Sequence, residues 1–153
     1  MTSQAATFGT NKFLAGIGVF IAAFSLFAYI QATPGLADPD AVYHIKMAQL
    51  LANGVFRTFP NLPYTLFSKY FTDQHFLYHV LLIPFVSWLD PFAGAKWAQA
   101  IFGALTATVF YWVLRRLRVS WPLLFTAALC LSAPFLFRAS LIKVPALSIL
   151  VLM

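Results

Sequence analysis

An all-α polytopic membrane protein is the fold class the sequence predicts, with transmembrane helices and a long outer loop containing short amphipathic helices. Three observations predict it. The chain is 61% hydrophobic and only 9% charged, with a mean hydropathy of +0.82, a balance found in integral membrane proteins rather than soluble domains. Phe13 to Ile30 runs without a charge, and at about 1.5 Å per residue it covers roughly 27 Å, about one hydrocarbon core. Ala93 to Leu114 is a second such run, with Lys96 just inside it and Arg115-Arg116-Leu117-Arg118 closing it. Residues 1–153 therefore read as a single membrane domain. Its spans fall at about 13–31, 93–114, 119–137 and 140–153, with an outer loop at 32–75 and a re-entrant or interfacial helix at 76–89. The last ten residues stay apolar to Met153 without an interfacial anchor, so the sequence reads as the front of a longer polypeptide.

Charge excludes nucleic acid as a partner. The net charge is +6, but residues 32–79 set Asp38, Asp40 and Asp73 against Lys46, Arg57 and Lys69. The surplus lies at span ends, where it acts as an orientation signal. A lone cysteine, Cys130 in an apolar run, supports packing rather than a disulfide framework.

Taken in order, residues 13–31 form the first span. A cleaved signal peptide ending at Gly35-Leu36-Ala37 is the competing reading. The apolar region is longer than the usual ~7–15 residues, and Lys12 is its only basic flank. Residues 36–54 carry the signals of a short helix. Asp38 suits the N-cap, Pro39 the first position, Asp40 the dipole-facing first turn, and Asn53-Gly54 a left-handed stop. From Arg57 to Tyr64 two prolines favour extended or turn structure, and Thr65–Phe71 is aromatic enough to lie along the interface.

Residues 76–89 are short for a crossing and contain Pro84. Charge decides their placement. If 76–89 crossed, the Arg115–Arg118 cluster would lie outside. If it does not cross, the cluster is cytoplasmic, as the positive-inside rule expects, and residues 32–92 all face outward. The 119–137 run then returns outward, with Arg138 and Lys143 near the outer surface.

The chemistry gathers in the outer loop. Asp73-Gln-His75-Phe-Leu-Tyr-His79 puts two histidines on one helical face. With Asp40 and His44, these groups can bind a divalent metal or act as acid and base near neutral pH. Interfacial histidines that simply snorkel are the alternative for the His75/His79 pair. Asp40 is the stronger candidate, because the cap role falls to Asp38. Arg138 has the planar fork that holds a phosphate bidentately. No Gly-rich phosphate loop, nucleophile elbow or HExxH motif occurs.

These residues carry a resemblance. Asp40-Ala-Val-Tyr43-His44-Ile-Lys46, running on to Asn53-Gly54, resembles the Asp-led helix of membrane-embedded glycosyltransferases of the GT-C class, in particular the oligosaccharyltransferase catalytic subunit. Asp73-Gln-His75-Phe-Leu is similar to the D-x-H-P-P-L stretch of protein O-mannosyltransferases, here without its two prolines. Arg138-Ala-Ser140 stands where oligosaccharyltransferases have R-S before a D-N-E metal motif, which Lys143-Val-Pro replaces here. The resemblance implies hexosyl or oligosaccharyl transfer from a polyprenyl-phosphate-linked sugar donor to a glycan, lipid or protein acceptor. The active loop would lie on the outer face of a bacterial or archaeal plasma membrane, within membrane lipid. It implies Asp40 as the base, or as one ligand of a divalent metal (Mg or Mn), and His44, Lys46, His75, His79 and Arg138 as substrate-binding residues. The rival reading is a transporter or channel subunit whose loop His and Asp side chains move protons or metal ions.

Overall fold

The structure, a computed structural model, describes residues 2–55 and 63–153. It is all-helical, with no strand among the described residues. The helices are α1 (Thr2–Gln31), α2 (Asp40–Ala52), α3 (Phe76–Trp88), α4 (Pro91–Arg116), α5 (Pro122–Leu131), α6 (Ala133–Ser140) and α7 (Pro145–Leu152), with a short 3₁₀ turn at Leu66–Ser68. Two of them, Phe13–Gln31 of α1 and the whole of α4, are long and apolar enough to cross a membrane. The fold is thus compatible with an α-helical membrane protein. The proline-containing stretch from Arg57 to Tyr64, expected as extended or turn structure, lies mostly outside the described residues. The chain divides into two units. One holds Met1–Pro34, Gln99–Leu141 and Pro145–Met153; the other holds Gly35–Ala98 and Ile142–Val144.

In the first unit, α1 and α4 pack by seating an aromatic ring of each helix on a glycine of the other. A Cβ on Gly16 would fall 2.8 Å from the Trp112 ring, and one on Gly103 would fall 2.8 Å from the Phe27 ring. Phe27 is fully buried and meets Phe135 edge-on at 6.1 Å. Lipid offers apolar contacts of its own, so close approach over small residues is what favours helix against helix. Because residue 16 meets 112 and residue 27 meets 103, α1 and α4 run antiparallel.

The stretch 119–137, expected as one span, is two helices meeting at 67°. Pro134 explains the break: it has no N–H for the carbonyl four residues back, and its ring would clash there. Ser132 accordingly turns extended, with φ −73° and ψ 126°. The stretch 140–153, expected as a further span, contains only the eight-residue α7, well short of the ~20 residues a crossing needs. The carbonyls freed by the end of α6 are not left bare. Gln99 Nε2 donates to the Ala139 carbonyl at 2.7 Å, and Gln31 Nε2 donates to the Ser140 carbonyl at 2.5 Å. Thr106 Oγ1 reaches the Ala146 carbonyl at 2.9 Å. In apolar surroundings an unmet backbone carbonyl costs several kcal/mol, so the two glutamines sustain the end of α6, while Thr106 ties the start of α7 to α4.

Two helices end in the same hydrogen-bond pattern with different residues. After α2, Val55 N–H bonds the Leu50 carbonyl at 2.9 Å and Gly54 N–H the Leu51 carbonyl at 3.0 Å, with Gly54 at φ 79°. After α4, Val119 bonds Leu114 at 3.0 Å and Arg118 bonds Arg115 at 3.2 Å, but the left-handed residue is Arg118, at φ 56°. A side chain there costs about 1–2 kcal/mol that glycine avoids. Arg118→Gly is expected to raise stability by about 1 kcal/mol, seen as a higher thermal midpoint in mild detergent. A lower midpoint would contradict this account of the cap.

In the second unit α2 packs on α3, and Ala41, Ile45 and Ala48 of α2 and Tyr78, Leu82 and Val86 of α3 are buried. Asp90 caps α4, its Oδ1 accepting from Phe92 and Ala93 N–H at 3.1 and 2.9 Å. The turn brings Gly94 so close to the Phe85 carbonyl of α3 that a Cβ would collide with it.

Candidate functional site

The polar chemistry of the second unit sits where α2 begins and where α3 begins. At the start of α2 the two aspartates divide their work. Asp38 Oδ1 accepts the Asp40 N–H at 2.9 Å and the Asp38 carbonyl accepts the Ala41 N–H at 3.1 Å, so Asp38 satisfies donors the helix leaves unpaired. Its carboxylate is only 11% exposed, whereas that of Asp40 is 63% exposed. Lys143, about a hundred residues further along the chain, places its ammonium 2.6 Å from Asp38 Oδ2 and 2.7 Å from Asp40 Oδ2. The bond to Lys143 holds the Asp38 carboxyl below its usual range, and the two carboxylates push the Lys143 ammonium above its own.

At the start of α3, Asp73 plays a comparable double part. Its Oδ1 accepts the His75 N–H at 2.9 Å, and its Oδ2 lies 2.5 Å from His79 Nδ1. His79 is fully buried, and its Nε2 lies 2.7 Å from His44 Nδ1, which brings α2 and α3 together through a hydrogen-bonded line of carboxylate, imidazole and imidazole. His75 flanks it, its ring centroid 5.5 Å from that of His44 and 6.2 Å from that of His79. Tyr43 and Tyr78 set their rings edge-on to His44 at 5.3 and 5.2 Å.

Burial decides the protonation states. It lowers the pKa of His44 to about 4, with His79 and His75 adding to the shift. It also lowers that of His79, against the opposing pull of Asp73. Both rings are therefore neutral at pH 7. Burial raises both phenols, and Asp73 raises Tyr43 further, so Tyr43 and Tyr78 stay protonated.

Asp40, His44, His75 and His79 thus all lie in this unit, with the three histidines mutually adjacent and Asp40 on the exposed first turn of the same helix as His44. Lys46 does not join them. It is exposed and borders a separate cleft of about 270 Å³ together with Gln49, Asn53 and Ser87. Arg138 is exposed on the last turn of α6, in the other unit. Asp73 and Lys143, the two residues that tie the groups together, were not singled out as site residues in the sequence. Asp73 had a visible signal, the Asp-x-His spacing of a side-chain cap. Lys143 had none, since its partners lie far away in the chain.

The divalent metal that the resemblance implies does not find its donors here. Among the described residues no group of three or more His, Cys or acidic side chains is arranged to hold one. The position between the Asp38 and Asp40 carboxylates is taken by the Lys143 ammonium. Comparison with protein families, curated proteins and solved structures finds no match to this chain.

Proposed function

We propose that this chain belongs to a membrane-embedded glycosyltransferase of the GT-C kind, which moves a sugar from a polyprenyl-phosphate-linked donor to an acceptor on the outer face of the membrane. The observation that carries this reading is the unequal state of the two aspartates: Asp38 is spent on capping α2, while Asp40 keeps an exposed carboxylate with one ammonium beside it. Asp40 is the base, and Lys143 supplies the positive charge that a departing lipid phosphate needs. A donor carried in the bilayer reaches such a site laterally, and Asp40 and the histidines follow one span-length helix and precede the other in chain order.

The antiparallel run of α1 and α4 supports the topology. If α3 crossed the membrane between them, α1 and α4 would run parallel. Running antiparallel to α1, α4 brings the Arg115–Arg118 cluster to the side of the N-terminal end of α1, as the positive-inside rule expects of a cytoplasmic end. A second reading, proton movement by a transporter, is favoured by the Asp73–His79–His44 line, since hydrogen-bonded chains of this kind pass protons.

The test is transfer from a polyprenyl-phosphate-linked sugar in membranes, comparing Asp38→Asn with Asp40→Asn at matched abundance. Asn caps nearly as well as Asp, so Asp38→Asn should retain most activity. Asp40→Asn loses about 0.3–1 kcal/mol of dipole interaction and should still fold, but transfer should fall by roughly 10²-fold or more. Equal activity of wild type and Asp40→Asn would remove Asp40 from catalysis. Proton flux into vesicles, with no transfer by the wild type, would decide for transport.

A further inference from the structure

The hydrogen-bonded line has a direction, and the direction sets what its free end can bind. Asp73 is a carboxylate and can only accept, so His79 must donate from Nδ1. A neutral imidazole carries one N–H, which leaves His79 Nε2 as an acceptor. His44 must then donate from Nδ1, and its Nε2 is left with a bare lone pair. Among the described residues every buried side-chain nitrogen and oxygen has a hydrogen-bond partner, so a nitrogen without one meets the surface. His44 is only 4% exposed and no described residue bonds its Nε2. His44 Nε2 is therefore an acceptor at the surface of an otherwise buried ring, beside the Tyr43 and Tyr78 rings.

We propose that His44 Nε2 is a ligand-binding acceptor whose tautomer is set by Asp73 through His79, and that it takes a hydroxyl or other donor group rather than a carbonyl, carboxylate or phosphate. His44 is the binding residue; Asp73 and His79 are positioning residues. A carboxylate or phosphate brings only lone pairs to this atom, and two lone pairs repel. A hydroxyl brings the one proton the site lacks. The low pKa of His44 keeps the lone pair free across the physiological range. The identity of the donor rests on the transferase reading, under which it is the hydroxyl of the acceptor molecule that Asp40 then activates. The tautomer pattern does not depend on that reading.

The experiment uses the full chain in detergent micelles, with ¹⁵N-labelled histidine and with diethyl pyrocarbonate, which attacks unprotonated imidazole nitrogen. In the wild type, spectra at pH 7 should show His44 and His79 both protonated at Nδ1, and His44 should be carbethoxylated at Nε2. Methyl glucoside, a hydroxyl donor, should slow that modification several-fold; sodium acetate, an acceptor only, should not. Asp73→Asn replaces the acceptor oxygen by an amide that can donate to His79 Nδ1. The line then reverses, and His44 should switch to the Nε2–H form and lose its reactivity by roughly tenfold. Asp73→Glu keeps a carboxylate and should restore the wild-type tautomer. A merely structural pair would leave the tautomer of His44 indifferent to Asp73→Asn. An Nε2–H tautomer in the wild type, or equal protection by glucoside and acetate, overturns the proposal whether or not the variants fold. Loss of transfer activity with this pattern intact would instead count against the transferase.

Discussion

Gly94→Ala is expected to destabilise the second unit by about 2 kcal/mol net, even though alanine is the better helix former. Two effects oppose each other. Within α4, replacing glycine by alanine gains about 1 kcal/mol of helix propensity. Against that, the added Cβ meets the Phe85 carbonyl of α3 inside contact distance. That neighbour is backbone inside a helix, so it cannot rotate away as a side chain end would. Gly94 N–H is moreover held by the Asp90 carbonyl at 2.7 Å, so α4 cannot shift without loosening its own first turn. Overpacking of this kind costs about 1–3 kcal/mol and sometimes more, and here the upper end applies because both sides are pinned. Gly18 is the control: nothing lies within 4 Å of its would-be Cβ, so Gly18→Ala should be neutral or mildly stabilising. The thermal midpoint of each variant in mild detergent checks this, with a fall of roughly 4–8 °C expected for Gly94→Ala. A midpoint equal to that of Gly18→Ala would show that α3 and α4 do not approach this closely.

Acidification from pH 7 to pH 4.5 is expected to loosen the packing of α2 on α3, because of His44. Burial lowers its folded-state pKa to about 4 from an ordinary value of 6.5. Between those two values the unfolded chain binds a proton that the folded chain refuses. Stability is therefore full above about pH 6.5, falls with pH through that window, and levels off below about 4. The slope approaches about 1.4 kcal/mol per pH unit for each such group. His79 is shifted in the same direction and adds to it, although the Asp73 bond works the other way. The groups facing His44 do not cancel the effect. His79 and His75 oppose its charging, as does Lys143 more distantly, Asp40 favours it, and Tyr43 and Tyr78 stay neutral. Asp38 contributes a separate and lower step: its lowered pKa adds stability that is present above the ordinary carboxylate range and lost as pH falls through the folded value. The measurement is the thermal midpoint against pH for the wild type and for His44→Leu. The wild type should lose stability between pH 6.5 and 4.5, and the variant should show a flatter profile. Parallel profiles would mean that His44 is not kept neutral by burial.

The sequence by itself determined the features that depend on neighbours in the chain. Composition and two long apolar runs are enough for a helical, membrane-compatible chain, because covering a hydrocarbon core is a matter of length and apolarity. The bounds of α2 were also legible: Asp38, Pro39 and Gly54 act on backbone groups within a few residues, and the Asp38 cap and left-handed Gly54 stand where those residue types direct. The break at Pro134 was equally local in cause, but 119–137 read as one span because hydropathy does not register the missing N–H. What only the tertiary structure decided was pairing across long separations. Lys143 on Asp38 and Asp40, Gln99 and Gln31 on the carbonyls ending α6, and His79 on His44 join residues between 35 and about 110 positions apart. Such contacts depend on how helices pack, and packing depends on shape, as at Gly16, Gly94 and Gly103, which composition and periodicity do not carry. The state of the histidines follows from the same cause. The spacing of His75 and His79 put them on one helical face, but the burial that keeps His44 and His79 neutral, and the line that orients them, exist only where α2 lies against α3.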